Sequence, residues 1–64
     1  MAKTNVTVNL IGVDGNAFNI LGIVCRELRR AKCSKELIQE YQNEAMSGDY
    51  DHLLATTLEY VNIE

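Results

Sequence analysis

The sequence predicts an α+β fold of order β-α-α-α-β, with three helices and the N- and C-terminal strands pairing in a small sheet. Three observations carry that prediction. Val6, Val8 and Leu10 alternate with Asn5, Thr7 and Asn9, the period of a half-buried strand. Apolar residues then recur at three- and four-residue intervals through three segments, each introduced by a side chain able to cap a helix. The last residues return to alternation. No repeat, linker or low-complexity stretch interrupts residues 1–64, which read as one domain.

The first strand covers residues 3–11, and two glycines and an aspartate in Gly12-Val13-Asp14-Gly15 break it into a turn. Asn16 or Asp14 caps a helix over 17–31, in which positions 17, 21, 24, 28 and 31 keep one apolar face. Phe18, Ile20, Leu21, Ile23 and Val24 make its first half apolar nearly all round, which predicts burial on two sides. Gly22 costs about 1 kcal/mol against Ala inside a helix, so a neighbouring element is expected close to it. After the break at Lys32-Cys33, Ser34 caps a second helix over 35–46. Leu37, Ile38, Tyr41 and Ala45 form its apolar stripe; Glu36, Gln39, Glu40, Asn43 and Glu44 face water. Gly48 fits the left-handed position that ends it. Asp49 caps a third helix bearing Leu53, Leu54, Thr57, Leu58 and Val61 at helical spacing. In the tail, Tyr60, Asn62 and Glu64 alternate with Val61 and Ile63 as a closing strand.

A chain of 64 residues buries only about 60% of the surface its unfolded form exposes, so it needs a staple or a partner. Two cysteines, Cys25 and Cys33, make no disulfide framework, and His52 is the single histidine, so neither metal nor cofactor is expected. Cys25 reads as core filler, whereas Cys33 sits in a break with nothing to activate it. No run of ~20 apolar residues and no signal pattern occurs, so a cytoplasmic protein away from membranes is expected. The remaining staple is self-association, and a homo-oligomer that completes the sheet is the expected form. Net charge is -3, which offers no field for long nucleic acid. Yet Arg26, Arg29, Arg30, Lys32 and Lys35, five of the six cations, lie within ten residues, a concentration that suits a compact anion.

Three places can carry chemistry. The glycine turn ahead of the first helix exposes backbone N–H groups near Asn16, although it has neither a Walker lysine nor a third glycine, and a tight capped turn explains it equally. Arg26, Arg29 and Arg30 share a helix face at i, i+3 and i+4, where they match the helix dipole or grip phosphate bidentately. Asp49-Tyr50-Asp51-His52 gathers carboxylates, a phenol and an imidazole, which serve as a helix start or as ligand contacts through Tyr50 and His52. Tyr41 reads as core, while Tyr50 and Tyr60 are placed to stack on a planar ligand or a partner.

Gly12-Val13-Asp14-Gly15-Asn16-Ala17-Phe18 and Gly48-Asp49-Tyr50-Asp51-His52-Leu53-Leu54 resemble the signature of a group of very short phage, prophage and bacterial proteins. Lys32-Cys33 stands where members often carry a glycine. The resemblance implies a fold and no enzymatic activity. Phage proteins of similar size include oligomeric sponges that trap nucleotide signals of host defence between subunits. The expected function is therefore a small oligomeric sponge for a phosphorylated or nucleotide-like signal, held by Asn16, Arg26, Arg29, Arg30, Tyr50, His52 and Tyr60 without turnover. The competing class is a protein-interaction module or inhibitor docking through its sheet edge or acidic second helix. An enzyme built on Asp49, Asp51 and His52 is the least favoured reading.

Overall fold

A computed structural model describes residues 3–10 and 15–64 and has the predicted element order: β1 (Thr7–Val8), α1 (Ala17–Arg30), α2 (Lys35–Ala45), α3 (Tyr50–Tyr60) and β2 (Asn62–Ile63). The turn residues Gly12, Val13 and Asp14, and Ile11 before them, lie outside the described residues. Each helix starts where its cap predicts. Asn16 Oδ1 accepts from Phe18 N, Ser34 Oγ from Leu37 N and Asp49 Oδ1 from His52 N, at 2.8, 3.1 and 2.9 Å.

The helix ends differ from expectation. Gly48 has no positive φ; its part is to leave room, because a Cβ there would lie 2.8 Å from His52 Cγ. The left-handed residue is Lys32, at φ 63°, directly after α1. Lys32 N donates to Arg29 O at 2.9 Å and Cys33 N to Leu28 O at 3.0 Å, which is the paired 5→2 and 6→1 pattern of a Schellman ending. A lysine occupies the position that glycine usually takes.

The two strands run parallel, with Thr7 opposite Asn62 and Val8 opposite Ile63. Regular pairing is shorter than the alternation predicted, but the strand's neighbours continue it. Lys3 N and Thr4 N donate to Glu59 O and Tyr60 O, and Thr4 Oγ1 adds a second bond to Tyr60 O at 2.7 Å. The last carbonyls of a helix have no partner within it. Here the N-terminal segment supplies those partners to α3, so one stretch of chain forms both a strand and a cap. Glu59 and Tyr60 consequently belong to α3 and not to the closing strand.

The core gathers Val8 of β1, Ile20, Val24 and Leu28 of α1, Ile38 and Tyr41 of α2, Leu53 and Tyr60 of α3, and Val61 just after α3, with Ile63 of β2 packed against it. Burial of α1 on two sides is not found. Ile20 and Val24 are buried, Leu21 and Ile23 lean on the core, and Phe18 alone of that group stands out, 74% exposed. Gly22 is exposed, and among the described residues nothing lies within 4 Å of where a Cβ would stand, so none of the described elements packs against it. On α3 the buried positions are Leu53, Thr56, Thr57 and Tyr60; Leu53 and Thr57 follow the expected spacing, while Leu58 faces out. Thr57 Oγ1 donates to Leu53 O and accepts from the Tyr41 hydroxyl, both at 2.8 Å, which settles two buried hydroxyls in one chain of bonds.

Candidate functional site

The guanidiniums of α1 do not converge. Arg26 and Arg30 both reach Glu27 Oε2, at 3.5 and 3.4 Å, so a carboxylate of the same helix answers two of the three charges. Arg29 points elsewhere. It lines a groove of about 450 Å³ with Cys33, Lys35, Ile38, Gln39 and Gln42, between the end of α1 and the outer side of α2. Lys3 pairs with Glu40 at 3.2 Å. Among the described residues, Arg29, Lys32 and Lys35 have no carboxylate within 4.0 Å, and all three stand at the α1–α2 corner. Gln39 Nε2 donates to Asn43 Oδ1 and Gln42 Nε2 to Cys25 Sγ, leaving each amide a second N–H. The groove thus presents two cations and two amide donors over an apolar floor at Ile38. The three arginines expected to act as one clamp line three separate grooves, Arg26 beside Thr7 and Glu64, Arg30 beside Thr4 and Val6, and Arg29 at this corner.

Asn16 and Tyr50 lie at the opposite end of α1, about 21 Å away for a helix of 14 residues. Asn16 is the α1 cap. Tyr50 donates its hydroxyl to Gly15 O at 2.6 Å and keeps its ring 43% exposed. Beside it, Phe18, Met46 and Tyr50 border a groove of about 210 Å³ with Ala17, Leu21, Ala45 and Leu53 along it. Among the described residues, three of the four exposed large hydrophobics meet here.

Tyr60 is withdrawn from any ligand. Its ring is 2% exposed, set edge-on to Tyr41 with centroids 5.4 Å apart and covered by Lys3 Nζ at 4.7 Å. Its hydroxyl donates to Glu40. The Tyr60 and Lys3 hydrogen bonds hold the Glu40 carboxyl below its usual range near 4.5, while burial and the bond to Glu40 push the Tyr60 phenol up.

His52 is committed as well. Its Nε2 lies 2.8 Å from Glu44 O and 3.0 Å from Glu44 Oε2, both acceptors only, so Nε2 carries a proton. Ser47 Oγ, 3.1 Å from the same nitrogen, donates to Glu44 O at 2.7 Å. A Ser, a His and a Glu therefore meet, yet the imidazole offers Ser47 no lone pair and cannot act as its base. The cluster ties the end of α2 to α3. The acidic face of α2 is similarly engaged, with Glu40 held by Lys3 and Tyr60, and Glu44 by His52 and Ser47.

No protein-family model matches the chain, and no curated protein or solved structure is significantly similar to it. Among the described residues no group of three His, Cys, Asp or Glu side chains is placed to hold a metal ion, and no helix is long and apolar enough to cross a membrane. Sequence reasoning counted Lys35 among the clustered cations but missed its pairing with Arg29, and missed Gln39 and Gln42 entirely. Their alignment toward α1 depends on how the two helices cross, for which the only local signal was Lys35 beginning α2.

Proposed function

We propose that the protein is a small homo-oligomeric binding protein that sequesters a compact phosphorylated or nucleotide-like anion without turning it over. The observation that carries this reading is the α1–α2 corner, where the three cations lacking a carboxylate gather and two of them line one groove. Arginine forks phosphate bidentately and lysine adds a point charge, so the pair recognises a phosphate better than a diffuse surface does. The groove lining has no carboxylate and no imidazole; its titratable side chains are the Cys33 thiol and the Lys35 ammonium beside Arg29.

A ligand bound only by the folded state raises the melting temperature, by about 2.7 kcal/mol of stabilisation at a hundredfold excess over Kd. Thermal melts with inorganic phosphate and a panel of nucleoside phosphates and cyclic dinucleotides test the reading. At least one of them raises the midpoint, the ligand is recovered chemically intact after denaturation, and Arg29→Ala with Lys35→Ala abolishes the rise. A panel without effect, or a rise that survives the double replacement, overturns it.

A further inference from the structure

We infer that copies of this chain meet through the outward face of α1, crossing antiparallel at Gly22. This rests on the homo-oligomer reading and names its surface and its partner, a second copy. The exposed positions of α1 include Phe18, Gly22, Arg26 and Arg29, with Gly22 central among them. A glycine in a helix interior costs about 1 kcal/mol, and open space around it leaves that cost without return inside one subunit. A second backbone laid across it restores the return, because only glycine permits the closest approach of two helices.

Register and charge choose the same partner. Phe18 stands four residues before Gly22 and Arg26 four after it. A two-fold axis through Gly22 therefore sets Phe18 against the partner's Arg26, twice, which is the self-complementary arrangement that a closed dimer requires. A guanidinium over an aromatic face is attractive, and Phe18, 74% exposed, has its face available. The cationic end of each α1 also approaches the other's uncharged, acid-flanked start, where Asp49 borders the groove beside Phe18. A parallel pairing would bring the two arginine clusters together and is disfavoured by charge alone.

Sedimentation velocity across a dilution series, from hundreds of micromolar downward, reads the association. The wild type dissociates from dimer to single subunits, and Gly22→Trp raises the dissociation constant at least tenfold while its circular dichroism is unchanged, since Gly22 is exposed and a Cβ there meets none of the described residues within 4 Å. Phe18→Asp, at an exposed position, is the second variant and is expected to do the same; it decides the matter should Gly22→Trp fail to fold. A wild type that stays a single subunit throughout removes the oligomer reading together with this surface. A wild-type dimer that folded Gly22→Trp or Phe18→Asp leaves intact removes this surface only.

Discussion

Thr57 shows how much one buried hydroxyl carries. It accepts from Tyr41 and donates to Leu53 O, so replacing it by valine keeps the volume but strands the Tyr41 hydroxyl in the core. An orphaned buried group costs about 1–3 kcal/mol, whereas Tyr41→Phe, which leaves Thr57 its bond to Leu53, costs about 0.5–1.5. Urea denaturation should order the stabilities wild type, Tyr41→Phe, Thr57→Val with one common slope. Equal loss in both variants would refute this order. Two backbone positions are predicted to act in opposite senses. Gly48→Ala drives a methyl into His52 and costs about 1–3 kcal/mol. Lys32→Gly releases a side chain from the left-handed region, worth about 1–2 kcal/mol, partly offset by the freer unfolded glycine, for a net gain of about 0.5–1. A urea midpoint that falls in Lys32→Gly, or rises in Gly48→Ala, contradicts the account. Neither effect was legible in the sequence, where Gly48 resembles an ordinary helix terminator and Lys32 an ordinary loop residue.

At the scale of elements, caps and apolar stripes were well marked. Asn16, Ser34 and Asp49 each precede a periodic run, and α2 buries Ile38, Tyr41 and Ala45 as its spacing requires. The end of α3 was misread because Tyr60 and Val61 satisfy both a helical and an alternating pattern; what decides is the N-terminal segment, whose donors reach Glu59 O and Tyr60 O. That joint carries a titratable trio. Glu40 has a lowered pKa, so its contribution is present above the unfolded value near 4.5 and lost as pH falls through the lower folded value. Tyr60 and Lys3 have raised values, so theirs is present below 10.0 and 10.5 respectively and lost as pH climbs through the folded values. Glu40→Gln should lower the melting temperature across the neutral range and flatten the acid limb of its pH profile. Melts from acid to alkaline pH check this, and parallel acid limbs for variant and wild type would count against it.

For the molecule as a whole, accessible surface is 4297 Å², against about 4,100 Å² for an average monomer of 7.2 kDa. The total surface of the subunit is thus about what a folded monomer of its size exposes. What it leaves uncovered is concentrated: Phe18, Met46 and Tyr50 at one end, and Leu58 apart from them. The element order was legible because each element announces itself locally. The parallel sense of the strands, the inward turn of Thr56 and the Arg29–Lys35 groove were not, since each follows from how elements come together. His52 and Tyr60 were drawn into the expected ligand set by residue type alone, and packing uses both.

The strand and cap made by the first residues have a temporal meaning. Thr4 reaches Tyr60 across 56 positions of sequence. During synthesis that contact cannot close until Tyr60 has left the ribosome, by which time all three helices are available to form. A nascent chain stalled after α2 would thus carry an N-terminal segment with no β2 beside it and nothing to cap, whereas removing residues 61–64 should take away β2 alone and leave the end of α3 as that segment's one partner.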